Sequence, residues 1–178
     1  DEAHAIGCLG PDGRGVAASQ GVSPDILVGT FGKALGAAGA FVCGPPELRE
    51  LLINAGRGFI FSTGMPESVP HRVLAALDHL QDHGDALRER LAANATRLRK
   101  GLGQLGWAPL GSAHIVPVVL GDGAMAKAAA LLERGILATG IRYPTVPAGQ
   151  ERIRLTVSAA HTPDDIDRIV DAMGPRDA

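Results

Sequence analysis

The sequence predicts a fold of the α/β class, with α+β as the neighbouring possibility. Three observations lead there. Short apolar runs bounded by Gly, Pro, Ser and Asp alternate along the whole chain with segments of helical spacing. Hydrophobic residues make up 46% of the 178 residues and charged residues 20%, the balance of a chain that packs a core. No apolar run reaches the roughly 18 residues a membrane helix needs.

The elements follow in order. Residues 25–31 form an apolar run after Ser23-Pro24 and read as a buried strand. Residues 38–43 read as a second, ended by Gly44-Pro45-Pro46. Leu48, Leu51, Leu52 and Ala55 give residues 47–55 a helical spacing, and Phe59-Ile60-Phe61 reads as a short strand. Residues 67–80 read as a helix with Pro66 suited to its first turn, interrupted by Asp82-His83-Gly84-Asp85, with a second, charged helix over 86–105. A domain boundary is placed in that interruption, giving residues 1–84 and 85–178. Beyond it come a strand at 115–120, a helix at 124–134, a strand at 136–141, an alternating strand at 153–157 and a helix at 163–173. Thr162-Pro163-Asp164-Asp165 is a good helix start, with Thr as N-cap, Pro at the first position and acids in the first turn.

Composition excludes several classes. A net charge of −2 argues against a polyanion partner, and 4 Phe, 1 Tyr and 1 Trp do not make a base-stacking platform. Glycine (24) and proline (12) point to many tight turns. Cys8 and Cys43 form neither a disulfide framework nor a CxxC pair, and read as small buried hydrophobes in a reducing cytoplasm. His71, His79 and His83 read as a solvated helix face, not metal ligands. His114 reads as structural or close to substrate, Trp107 as core packing, and the charges from Arg88 to Lys100 as a solvated face. The chain opens on Asp1 without Met, and is expected to be a piece whose upstream half is missing.

Three stretches could carry chemistry. Asp1-Glu2-Ala3-His4 spells the DEAH box of a helicase, but four residues match by chance, no GxxxxGK[ST] loop is present, and the charge is wrong for a strand-gripping motor. In Thr30-Phe31-Gly32-Lys33-Ala34-Leu35-Gly36, a lysine follows an apolar strand among small residues. Desolvation there would favour a neutral amine available for a Schiff base, and Thr30 offers a hydroxyl for a phosphate oxygen. In Arg152-Ile153-Arg154 the strand period puts both arginines on one face, where a guanidinium suits bidentate capture of a carboxylate; the bland alternative is a solvated face of an edge strand.

Asp1-x-x-His4, Thr30-Phe31-Gly32-Lys33, Phe61-Ser62-Thr63-x-Met65-Pro66, Pro144-Thr145-Val146-Pro147-Ala148-Gly149 and Arg154-Leu155-Thr156-x-Ser158-Ala159-Ala160-His161 occur in this order in the α-oxoamine synthases. The chain resembles the C-terminal half of such an enzyme. The resemblance implies the PLP-dependent transferase fold (aminotransferase fold type I), with part of the PLP-binding large domain in residues 1–84 and the small C-terminal α+β domain in 85–178. It implies pyridoxal 5'-phosphate (PLP) as cofactor, amino acid and acyl-CoA as substrates, a homodimer with shared active sites, a cytoplasmic location, and no metal, nucleic acid or membrane.

Residue by residue, the resemblance makes Asp1 the partner of the pyridine nitrogen and His4 a neighbour of the ring's phenolic oxygen. Thr30 contacts the phosphate, and Lys33 holds the cofactor covalently and moves the substrate proton. Ser62 and Thr63 lie near the partner subunit's cofactor. Arg154 grips the amino-acid carboxylate, and Arg142 and Thr145 line the substrate site. Ile141-Arg142-x-Pro144-Thr145 resembles the branch that joins L-alanine to pimeloyl-CoA for biotin biosynthesis. Tyr143, where that branch often carries proline, resembles the branch that joins glycine to acetyl-CoA. Because the family's upstream half supplies the ring-stacking residue and the phosphate loop, this chain by itself is expected to hold an incomplete site.

Overall fold

The structure is a computed structural model and describes residues 1–176. The chain divides into two compact units, one of Asp1–Arg88 and one from Glu89 onward.

The first unit carries a two-stranded antiparallel sheet, β1 (Leu27–Thr30) and β2 (Ala40–Cys43), paired from Leu27↔Cys43 to Thr30↔Ala40. Gly29 is buried because the Phe41 ring occupies the space a side chain would take, and Phe41 stacks on Phe31 with ring centroids 5.3 Å apart. The strand expected to be buried is otherwise open: Ile26 and Val28 are exposed, since β1 has one paired neighbour and no apolar layer over most of its surface. The same unit contains α1 (Val16–Ser19), α2 (Pro46–Ala55) and α3 (Arg57–Ile60). The strand expected at Phe59–Phe61 is instead the end of α3: the amides of Phe59 and Ile60 both donate to the Gly56 carbonyl. A three-residue apolar run has no period with which to choose between the two states.

The interruption expected at residues 82–85 is also absent. One helix, α4 (Ser68–Gln104), runs through it. Gly84 is buried, and a Cβ there would lie 2.7 Å from the Arg88 guanidinium, which ion-pairs with Asp85 at 2.7 Å. A glycine costs a helix only about 1 kcal/mol, too little to stop 37 residues.

The second unit holds the core. Its antiparallel sheet has the order β3-β5-β4, built from β3 (Ile115–Val119), β4 (Thr139–Ile141) and β5 (Arg152–Thr156). Val116, Val118 and Ile153 on these strands, Leu98 and Leu102 on α4, Leu131 on α5 (Ala124–Glu133), and Ile166 and Met173 on α6 (Pro163–Met173) are all fully buried. The strand expected from residue 136 begins only at Thr139, because α5 ends on Gly135 at φ +75° and Leu137 stands 87% exposed. Gly140 lets β4 approach α5: a Cβ there would lie 2.7 Å from Met125 Sδ. The start of α6 is as expected, a capping box in which the Thr162 side chain and the Asp165 backbone and carboxylate satisfy each other.

Side chains tie the connections down. Arg99 donates to the carbonyls of Leu110, Ala113 and Ile115 at 2.8–3.0 Å, and burial pushes its pKa down. Trp107 is half-buried and donates through Nε1 to the Gly174 carbonyl at 2.8 Å. Lys127 donates to the Met173 carbonyl at 2.6 Å.

Candidate active site

The first unit gathers four of the residues singled out. The amide of Glu2 donates to the Val28 carbonyl at 2.8 Å, laying the first residues of the chain beside β1. Asp1 Oδ1 accepts from the Ala3 amide at 2.7 Å, and the Ala3 carbonyl accepts from Thr30 Oγ1 at 3.5 Å. Lys33 Nζ donates to Thr30 Oγ1 at 3.3 Å. Asp1, Thr30 and Lys33 are thus linked through Ala3, with His4 next in the chain.

The turn after β1 sets this geometry. Phe31 N donates to the Gly39 carbonyl, Ala37 N to the Phe31 carbonyl and Gly36 N to the Lys33 carbonyl. Arg72 on α4 donates through Nε to the Gly36 carbonyl at 2.6 Å and pins the turn. Lys33, expected in a shut, small-residue environment, is exposed along with Asp1 and His4. The flanking glycines and alanines give it no wall.

Ser62 and Thr63 lie exposed after α3, with Ser62 Oγ donating to the Gly58 carbonyl at 2.6 Å. Met65, two residues on, reaches the turn of Lys33: its Sδ lies 2.7 Å from where a Cβ on Gly39 would stand.

The second unit holds the arginines. Arg154 lies on β5, the central strand rather than an edge, opposite Pro117 on one side and Thr139 on the other. It is half-buried, and its Nε is buried with no hydrogen-bond partner among the described residues. Arg152, on the same face, turns back to the Gln150 carbonyl at 2.9 Å. Arg142 and Thr145 are exposed in the turn beyond β4, which closes by Thr145 N donating to the Arg142 carbonyl at 3.0 Å around a cis Tyr143–Pro144 bond. The Ser158–His161 segment after β5 is held by Asn94, a buried residue on α4 that donates to both their carbonyls.

Three residues with positional roles escape a reading of the sequence: Glu2, Arg72 and Asn94. Their partners lie 14 to 67 positions away, and no local pattern marks them. Cys8 is half-buried, and burial pushes its thiol up, with Arg88 opposing. Cys43, expected to be buried, is exposed on the open sheet. Among the described residues no group of three or more His, Cys, Asp or Glu side chains could hold a metal ion, and no helix is long and apolar enough to cross a membrane.

The mixed α/β fold is that of PLP-dependent fold type I proteins. The profile of the aminotransferase class I and II family matches residues 1–173, and the chain belongs to that family. The 8-amino-7-oxononanoate synthase of Aeromonas salmonicida is 46% identical over 182 aligned positions, covering 98% of this chain and 45% of its own. Serine palmitoyltransferase from S. paucimobilis, solved with bound PLP-myriocin, superposes with a TM-score of 0.88 at 35% identity, over 97% of this chain and 45% of that one. The 8-amino-7-oxononanoate synthase of Francisella tularensis gives a TM-score of 0.84 at 29% identity, over 97% of this chain and 52% of that one. The resemblance to α-oxoamine synthases is borne out by these similarities. The chain spans about half the length of the relatives it matches.

Proposed function

We propose that this chain is the lysine-bearing part of a PLP-dependent acyltransferase that condenses L-alanine with pimeloyl-CoA, with loss of CoA and CO₂, to give 8-amino-7-oxononanoate in biotin biosynthesis. The observation that carries the reading is the linked group of Asp1, Thr30 and Lys33. Its donor set fits the cofactor: a primary amine for the aldehyde, a hydroxyl beside it for the phosphate, and a carboxylate for the ring nitrogen. PLP, when bound, supplies the electron sink for bonds broken at the substrate Cα.

The chain's own residues do the rest. Asp1 holds the proton on the ring nitrogen, which an amide in its place would not. His4 would lie near the ring's phenolic oxygen, and the Thr30 hydroxyl would donate to the phosphate. Lys33 would hold the cofactor through its amine and, once freed, would take the proton at alanine Cα and supply one after decarboxylation. The new C–C bond would join Cα to the thioester carbonyl as its C–S bond breaks, with CoA leaving as the thiolate and taking a proton from solvent. Arg154 receives the alanine carboxylate through the guanidinium whose Nε has no other partner. Arg142 and Thr145 line the substrate site, while Ser62 and Thr63 lie near the cofactor of a partner subunit in a cytoplasmic homodimer.

The test is turnover by the full-length enzyme that contains this chain, supplied with PLP. CoA thiol release from L-alanine and pimeloyl-CoA, with 8-amino-7-oxononanoate identified by mass spectrometry and lost in Lys33→Ala, is expected. Preference for glycine and acetyl-CoA would reassign it to the glycine C-acetyltransferase branch to which Tyr143 points.

A further inference from the structure

Glu2 sits between two proposed cofactor contacts and takes part in neither. Its side chain is turned the other way. It is 7% exposed, and its two carboxylate oxygens accept separate backbone N–H groups, Val16 N at 2.9 Å and Ala17 N at 2.7 Å. Its own amide donates to the Val28 carbonyl in β1 at 2.8 Å. One residue therefore fastens its own segment at two places: to the strand that leads to Thr30 by its backbone, and to the Gly15–Ala17 segment by its side chain. Gly15 is built around this contact. It lies at φ +98°, and a Cβ there would lie 2.6 Å from Glu2 Oε2.

The consequence falls on Asp1 and His4. Asp1 is exposed, and its carboxylate is oriented by one bond to the Ala3 amide. Ala3, which also receives Thr30 Oγ1, follows Glu2 directly. Rotation of the backbone at Glu2 would turn Asp1 relative to Ala3 and break the Asp1–Ala3–Thr30–Lys33 link. A carboxylate accepting two amides in a buried place resists that rotation, because charge-assisted bonds are stronger than neutral ones and leaving either amide unmet is costly.

We propose that Glu2 is a positioning residue of the cofactor site: its carboxylate, clamped on Val16 N and Ala17 N, fixes Asp1 and the Ala3 carbonyl against Thr30 and Lys33. This rests on the cofactor reading above, so its test carries a readout that needs no cofactor.

Glu2→Ala, Glu2→Gln and, as a control, Ser19→Ala are compared with the unchanged protein. Gln keeps the length but offers one acceptor oxygen, and its amide N–H₂ faces a donor. Ser19→Ala loosens the same short helix, whose Val16 carbonyl accepts from Ser19 Oγ at 2.7 Å, without touching Glu2. Amide hydrogen exchange in the absence of PLP should quicken at Ala3 by about tenfold in Glu2→Ala, and less in Glu2→Gln. The Kd for PLP, read from reducible adduct on Lys33, should rise by about tenfold in the same order. Ser19→Ala should leave both near the unchanged values. Unaltered Ala3 exchange and PLP affinity in Glu2→Gln and Glu2→Ala, with only a lower melting temperature, would overturn the proposal by leaving Glu2 a packing role. Equal effects from Ser19→Ala would overturn it too. If the unchanged protein forms no adduct at Lys33, the cofactor reading fails, and Ala3 exchange still decides whether Glu2 positions Asp1.

Discussion

Lys33 Nζ donates to Thr30 Oγ1 at 3.3 Å, across the turn that ends β1. Three positions in the chain become one hydrogen bond because the turn closes on itself through Gly36 and is pinned from α4 by Arg72. The hydroxyl is shared with the Ala3 carbonyl, so Thr30 joins the lysine to the Asp1 segment. Removing it should separate them. Thr30→Ala is expected to weaken PLP binding by about tenfold, the worth of one hydrogen bond to a charged group, while Thr30→Ser retains most of the affinity. Absorbance titration with PLP reads both.

Gly15→Ala should destabilise the protein by about 1–3 kcal/mol, because a side chain at positive φ is strained. The Glu2 carboxylate, 2.6 Å from the new Cβ, must also move, so the loss cannot be relieved by the backbone alone. Thermal unfolding is the measurement. The Ala3 amide should exchange faster in the same variant.

Asn94→Ala leaves two carbonyls, those of Ser158 and His161, without the donors now at 3.0 and 2.9 Å. The expected cost is about 1–3 kcal/mol, the penalty for unmet polar groups. Urea unfolding should show a lower midpoint with an unchanged slope. Asn94→Asp, which sets an acceptor against two acceptors, should cost at least as much.

Acid should loosen α6 first. The backbone and hydroxyl of Thr162 hold the Asp165 carboxyl below its ordinary range, and the Arg97 guanidinium does the same for Asp167, which it grips with two bonds of 2.6 and 2.5 Å. A depressed folded pKa contributes stability that is fully present above the unfolded value, about 3.9, and is lost as pH falls through the folded value. Melting temperature should therefore decline below about pH 4. Thr162→Ala should lower it at neutral pH and flatten that decline.

What the sequence reveals follows from how local each signal is. Thr162, Pro163 and Asp165 specify the start of α6 within four residues, and the helix begins there. The alternation in Arg152–Thr156 likewise places Ile153 and Leu155 inside and the arginines on the other face. Gly84 misleads because a helix end needs more than one weak residue, and the packing of Arg88 against it is invisible in the chain. Phe59–Phe61 misleads because both strand and turn accept three apolar residues. In the site, the motifs name Asp1, Thr30, Lys33 and Arg154, and the structure supplies what they cannot: the openness of Lys33, the central place of β5, and the part of Ala3. Glu2 is written in the same four letters as Asp1 and His4, yet its partners are 14 and 15 residues away, a distance that only the folded loop closes.

The most direct measurement is borohydride trapping. The protein is incubated with PLP, reduced and digested, and the pyridoxyl adduct is located by mass spectrometry. A single stoichiometric adduct on Lys33, diminished in Thr30→Ala, is expected from the geometry of the turn. Labelling scattered over Lys33, Lys100 and Lys127, in the full-length enzyme as in this chain, would mean that no organised cofactor site surrounds Lys33, and the proposed chemistry would fall with it.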